Sequence, residues 1–258
     1  MKQTKNRPSI LVTNDDGITA PGLAALVEEM KAIGDVVVVA PDSPQSGMGH
    51  AITIDRPLRL DKVTYHGETL GYQCSGTPVD CVKIGIDQIL HRKPDLCVSG
   101  INHGSNSSIN VIYSGTISAA MEGAIEGITS IAFSLNNYEL DASFIAARKY
   151  AGIITKKVLD HGLPQGTLLN VNFPHLPDSH IKGIKICRQA KAKWEEEFDS
   201  RLDPRKRKYY WLTGKFQNYD AGEDTDEWAL SNGYVSIVPV HFDLTAHFAI
   251  PFLNEWKF

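Results

Sequence analysis

Short apolar runs alternate with segments of helical apolar spacing through the first two thirds of the chain. The apolar runs are typical of strands buried on both faces of a parallel sheet. They predict strands at 10–13, 35–41, 95–99, 130–134 and 168–173. Helical spacing predicts helices at 21–30, 77–90, 114–124 and 144–159. This alternation predicts an α/β protein with a Rossmann-like, mostly parallel sheet flanked by helices.

The pattern changes after about residue 185, where the chain becomes aromatic and charged and loses clean helical periodicity. One further strand is predicted at 234–240. We interpret this region as a C-terminal β-hairpin extension followed by a final strand. The expected organisation is a single α/β domain over 1–258, with 185–258 as an extension that joins subunits. A lid over the site would have a similar composition.

Composition restricts the classes of function. The chain has 258 residues and a formal net charge of −4, which argues against a general nucleic-acid binder, since phosphate contacts require a basic surface. No apolar run approaches the roughly 20 residues that cross a bilayer. We therefore expect a cytoplasmic protein without a membrane partner. Its four cysteines have no CxxC spacing and are expected to be buried free thiols.

The first predicted strand stops abruptly at Asn14-Asp15-Asp16-Gly17. Adjacent carboxylates repel each other and suit a position where a hard divalent cation takes up the charge. A solvated turn would use the same residue types. Polar loops also follow the second strand, at 41–50, and a later one, at 100–106. All three loops are expected at one edge of the sheet, where their carboxylate, hydroxyl and amide oxygens suit Mg²⁺ or Mn²⁺.

Another candidate feature is the start of the predicted helix at 114–124. Ser114, Gly115 and Thr116 are small residues before an alanine-rich segment. The free N–H groups at the start of a helix can hold an anion. Ordinary helix capping uses the same groups.

Five ordered motifs resemble those of the survival protein E family of metal-dependent 5′-nucleotidases. They are ILVTNDDG at 10–17, VVAPDSPQSGMGHAIT at 38–53, GTPVDCV at 76–82, VSGINHGSN at 98–106 and YSGTISAAMEGA at 113–124. The resemblance extends over about 10–173, and the segment 225–245 also fits. It implies hydrolysis of nucleoside 5′-monophosphates to nucleoside and phosphate.

The resemblance also implies a ligand set for one divalent metal ion per subunit, Mg²⁺ or Mn²⁺. Asp15 and Asp16 match the paired carboxylate ligands, Ser46 the hydroxyl ligand and Asn102 the amide ligand. The family's second loop is commonly basic before the serine, whereas Pro44-Gln45 stand here. An arginine contact to phosphate therefore does not carry over.

The expected chemistry is metal-assisted hydrolysis of a phosphate monoester, with Asp15 and Asp16 as catalytic residues and Asp15 as the preferred proton acceptor. The predicted phosphate contacts are Asn14, Asn106, Ser114, Gly115 and Thr116. Activity on 3′-monophosphates and short polyphosphate is compatible with this chemistry, and a homodimer or homotetramer is expected. Two other readings stay open: a nucleoside N-glycosidase and a noncatalytic nucleotide-binding regulatory protein.

Overall fold

The computed structural model describes residues 7–65, 68–139 and 141–257. Its strands are β1 Ser9–Thr13, β2 Asp35–Pro41, β3 Leu60–Tyr65, β4 Glu68–Cys74, β5 Leu96–His103, β6 Ser130–Leu135, β7 Thr167–Phe173, β8 Gly183–Ile186, β9 Ala192–Leu202, β10 Lys208–Asn218 and β11 Tyr234–His241. Its α-helices are α1 Pro21–Ile33, α2 Pro78–Ile84, α3 Asn110–Tyr113, α4 Gly115–Ile125, α5 Ile145–His161, α6 Asp226–Ser231 and α7 Ile250–Asn254.

A mixed, mostly parallel sheet organises these elements. Its strand order is β3-β4-β2-β1-β5-β6-β7-β11-β8. The strands from β4 to β7 run parallel, and β11 then pairs antiparallel with β7. The predicted fold class is confirmed, including the separate antiparallel hairpin of β9 and β10. Parallel strands bring the ends of β1, β2 and β5 to the same edge of the sheet.

Helices bury both faces of this sheet, which explains the uninterrupted apolar runs. In β1, Ile10 and Val12 pack in the core that also contains Leu26 of α1 and Ala151 of α5. Leu11 lies in the opposite core, with residues of α2 and α4. Alternation within one strand therefore supplies two hydrophobic layers.

Local sequence signals define several helix ends. Pro21 begins α1, as predicted, and Gly34 follows its last residue. The Thr77 side chain caps α2 by accepting from Asp80 N–H, while the Asp80 carboxylate accepts from Thr77 N–H. This reciprocal capping box confirms the predicted helix start. The predicted helix then continues as a π-helical turn over Gly85–Leu90.

Several elements differ from the sequence prediction. The predicted loop at 100–106 is wrong in its first part, because β5 continues to His103 after a register shift against β6 between Ser99 and Asn102. Strands β3, β4 and β8 and the helices α3, α6 and α7 have no counterpart among the predicted elements. β8 crosses the predicted start of the extension at 185 and pairs with β11 in the main sheet.

The hairpin and the C-terminal segment carry several large exposed apolar side chains. Phe198, Leu212, Phe248 and Phe252 are each more than 60% exposed. All four cysteines are buried and free, as predicted. Across 7–65, 68–139 and 141–257, no helix is both long and apolar enough to cross a membrane.

Candidate metal and phosphate site

Asp15 follows β1 and lies against the start of α4. Its side chain is almost fully buried, and the Thr116 hydroxyl donates a hydrogen bond to Asp15 Oδ1. Burial raises the pKa of Asp15 to about 6, and the charge of Asp16 adds to this rise, while the Thr116 hydrogen bond opposes it. The site therefore holds a carboxylate whose charge is poorly solvated.

Gly115 permits this close packing between helix and carboxylate. A Cβ atom at Gly115 would lie 2.8 Å from Asp15 Cβ and 3.0 Å from Asp15 Oδ2. Both distances are shorter than ordinary van der Waals contact. Glycine at this position thus lets the first turn of α4 reach the carboxylate.

Asp16 connects the ends of β1 and β5. Its Oδ2 accepts a hydrogen bond from the His103 backbone N–H at 3.2 Å. Burial raises the pKa of Asp16, while that hydrogen bond and the nearby His103 ring lower it in part. Among the described residues, no lysine, arginine or histidine forms a salt bridge with Asp15 or Asp16. Two adjacent carboxylates therefore have no salt-bridge partner among the described residues.

The loop after β2 approaches this pair from a second side. Gln45 N–H donates to the Asp15 carbonyl at 2.8 Å, and the next residue, Ser46, is exposed. Farther along the loop, Gly49 N–H donates to the Tyr113 carbonyl at 3.1 Å. These backbone contacts hold the Ser46 segment between β1 and the start of α4.

Asn102 lies near the end of β5, one residue before the contact with Asp16. Its Nδ2 donates to the Gly104 carbonyl at 2.8 Å, which orients the amide and leaves Oδ1 as its available acceptor. Asp15, Asp16, Ser46 and Asn102 thus come from three strand ends at one edge, as predicted.

This donor set fits a hard divalent cation. Its oxygens are two carboxylates, one hydroxyl and one amide, which are ligand types that Mg²⁺ and Mn²⁺ accept together with water. In the part of the chain that the structure describes, no group of three or more His, Cys, Asp or Glu side chains is arranged to hold a metal. The feature that favours a cation here is the aspartate pair, which has no salt-bridge partner among the described residues.

The predicted phosphate contacts divide into two groups. Ser114 caps α4 by accepting from Ile117 N–H at 3.1 Å, and Gly115 and Thr116 form the first turn beside Asp15. Asn14 is fully buried and donates to the Gly17 carbonyl at 3.0 Å. Asn106 is also buried, with its Nδ2 donating to Ser134 Oγ at 2.8 Å. Both asparagines order the loops from inside instead of presenting their amides at the surface.

A buried ionic cluster beside the site was not predicted. Glu122 of α4 is 2% exposed. Its Oε2 lies 2.9 Å from His50 Nε2, and its Oε1 lies 2.5 Å from Lys83 Nζ. Burial raises the pKa of Glu122, but the hydrogen bonds from His50 and Lys83 outweigh burial and leave that pKa below its ordinary value. The sequence signal for this cluster is a single glutamate among the small residues of α4.

Fold and site together define an α/β protein with an oxygen-rich cluster of side chains at the carboxyl ends of its parallel strands. The family model described as Survival protein SurE matches residues 10–196. The chain belongs to this family.

Relatives and a solved structure support the same assignment. "5′-nucleotidase SurE" of Christiangramia forsetii is 66% identical over an alignment 258 positions long that covers 98% of each chain. The protein of the same name from Flavobacterium johnsoniae is 63% identical, with 97% of each chain covered. The crystal structure of the SurE protein from Aquifex aeolicus has a TM-score of 0.84 and 44% sequence identity, covering 96% of this chain and 98% of that one.

Proposed function

We propose that this chain is a 5′-nucleotidase that hydrolyses nucleoside 5′-monophosphates with the help of one divalent cation. The observation that carries the proposal is the pair of buried Asp15 and partly buried Asp16 at a strand end, neither of which has a salt-bridge partner among the described residues. Full-length relatives at more than 60% identity bear the name of this activity.

Asp15, Asp16, Ser46 and Asn102 would hold the cation, Mg²⁺ or Mn²⁺. When bound, such an ion neutralises phosphate charge, orients the ester and lowers the pKa of a coordinated water. The shared edge and the oxygen chemistry of the four side chains support this ligand set.

Asp15 is our candidate proton acceptor for the attacking water. Without a cation its pKa is about 6, so Asp15 is mostly ionised at pH 7, and a bound cation would favour the ionised form further. The Thr116 hydroxyl fixes the carboxylate by donating to Oδ1. Asp16, held by the His103 N–H, has the simpler role of ligand.

The start of α4 would bind the phosphate. Ser114 Oγ caps the helix as an acceptor, so its O–H can still donate to a phosphate together with the Gly115 backbone N–H. The Thr116 backbone N–H is instead directed at the Asp15 carboxylate. An eleven-residue helix also places its positive dipole end at this point. The buried contacts of Asn14 and Asn106 favour a supporting role in shaping the loops.

Further parts of the proposal concern assembly and range of substrate. The exposed apolar side chains of the hairpin and C-terminal segment favour self-association as a homodimer or homotetramer. Phosphate recognition by backbone N–H groups is compatible with 3′-monophosphates and short polyphosphate. We also propose a single domain with its extension, acting in the cytoplasm.

Phosphate release from a panel of nucleoside monophosphates tests this function. We expect release with Mg²⁺ or Mn²⁺ and its loss with chelator. Free base without phosphate would instead identify the N-glycosidase, and tight metal-dependent binding without product would identify the regulatory binding protein. The Asp16→Asn variant is the matched control. It removes one proposed ligand and leaves the surrounding fold, so we expect it to abolish phosphate release.

A further inference from the structure

A cavity of about 570 Å³ adjoins the candidate phosphate site. It lies between the loop after β2, the short helix α3 and the base of the hairpin. Its lining includes Gly47, Tyr113, Trp194, Glu196, Leu212 and Gly214. The volume is within the range of small-molecule pockets.

Two lining residues are chain neighbours of proposed site residues. Gly47 follows the proposed ligand Ser46, and Tyr113 precedes Ser114, the cap of α4. The bond from Gly49 N–H to the Tyr113 carbonyl joins these two walls. A ligand with its phosphate at the start of α4 would therefore extend its other end toward this cavity.

The opposite wall is an aromatic surface that α3 holds in place. Trp194 Nε1 donates to Asn110 Oδ1 at 2.8 Å. The Trp194 ring also packs edge-on against Phe216, with ring centroids 5.6 Å apart. Trp194 is nevertheless 40% exposed, and Tyr113 across the cavity is 51% exposed. Exposed aromatic rings of this kind can stack on a heterocyclic base.

Gly214 keeps this part of the hairpin open. It pairs directly with Glu196 across the strands, so no side chain faces Glu196 from β10. A Cβ atom at Gly214 would lie 2.6 Å from the Glu195 carbonyl oxygen, which excludes other residues without a backbone shift. The Glu196 carboxylate therefore borders the cavity beside a gap in the hairpin surface.

We propose that this cavity binds the nucleobase and that Glu196 makes it selective for guanine; this inference rests on the proposed nucleotidase function. An ionised carboxylate only accepts hydrogen bonds. Guanine offers two adjacent donors, N1–H and the N2 amino group, which a carboxylate can accept together. Adenine offers one amino group beside the acceptor N1, whose lone pair a carboxylate repels. Trp194 and Tyr113 supply the stacking surface.

The test compares kcat/KM for GMP, AMP and ribose 5-phosphate, which lacks a base. We expect the wild-type protein to favour GMP over AMP by about 5- to 10-fold, the low end for a paired hydrogen-bond contact because Glu196 is exposed. Glu196→Gln should bring this ratio close to one and leave turnover of ribose 5-phosphate within about twofold. Glu197→Gln, which removes the same charge from the other face of β9, should keep the preference.

Saturation-transfer NMR with guanosine and adenosine provides a readout that needs neither metal nor turnover. We expect stronger transfer to guanosine, lost in Glu196→Gln and retained in Glu197→Gln. Equal GMP-to-AMP ratios in wild type and Glu196→Gln, or equal transfer to both nucleosides, would overturn the base site. Absence of phosphate release from every substrate would instead overturn the nucleotidase proposal, and the NMR comparison would still decide whether guanine binds here.

Discussion

The contact between α4 and Asp15 allows a prediction that separates stability from activity. Replacing Gly115 with alanine adds a Cβ atom 2.8 Å from Asp15 Cβ, whereas ordinary contact starts at 3.4 Å. Asp15 Cβ and the start of α4 must therefore separate by about 0.6 Å, and Asp15 Oδ2, at 3.0 Å, by about 0.4 Å, which are the differences from 3.4 Å. Crowding of this kind costs about 1–3 kcal/mol, and alanine returns at most about 1 kcal/mol through its better helix propensity.

We therefore expect Gly115→Ala to lose no more than about 3 kcal/mol of unfolding free energy, so the protein stays folded at 25 °C. Misplacing a catalytic group by a fraction of an ångström should nevertheless lower kcat/KM for a nucleoside monophosphate by about 10- to 100-fold. Urea denaturation and phosphate release with saturating Mn²⁺ measure the two quantities. A folded Gly115→Ala variant with wild-type kcat/KM would refute the catalytic role of the Asp15 carboxylate.

Three further predictions follow from the charges and the hairpin. The pKa of Asp15 is about 6 in the folded state and 3.8 ordinarily. Between pH 3.8 and about 6 the folded, metal-free protein therefore keeps a proton on Asp15 that the unfolded chain has released, and it should lose stability as pH rises through this window. Its Mn²⁺ affinity, measured by calorimetry, should fall up to tenfold per pH unit below 6, and a flat profile would contradict the assignment. Glu122→Gln should cost about 1–3 kcal/mol in urea denaturation, because it leaves His50 and Lys83 without their buried partner but both are partly solvated; an unchanged midpoint would show that the cluster contributes nothing. Replacing 193–217 with a short glycine linker should shift sedimentation toward a smaller oligomer, and an unchanged assembly would reject the hairpin as its interface.

The sequence predicts the layers of this fold well where both faces of a strand are buried. The centres of β1 and β2, at 10–12 and 36–40, are apolar without interruption, and Thr77 carries its capping signal locally. The edge pair β3 and β4 mixes polar and apolar residues, which gives a weak pattern. The glycine at position 100 suggested a loop, although pairing with β6 continues the strand beyond it.

The site shows the same distinction between local and tertiary signals. Asp15 and Asp16 could be found because they end an apolar run. The directions of the Asn14 and Asn106 amides could not be predicted, since contacts inside the fold decide them. Glu122 was missed because its partners come from a different loop and helix, and only the fold brings these three charges together.

The most direct test of the proposed metal site is a joint titration of Mn²⁺ binding and phosphate release. Electron paramagnetic resonance counts bound Mn²⁺ while phosphate is measured from the same nucleoside monophosphate samples. We predict that release rises in proportion to one Mn²⁺ per chain and that Asn102→Ala shifts both curves together to higher metal concentration. Full phosphate release before Mn²⁺ binds, or wild-type binding and turnover in Asn102→Ala at limiting metal, would contradict the proposed site.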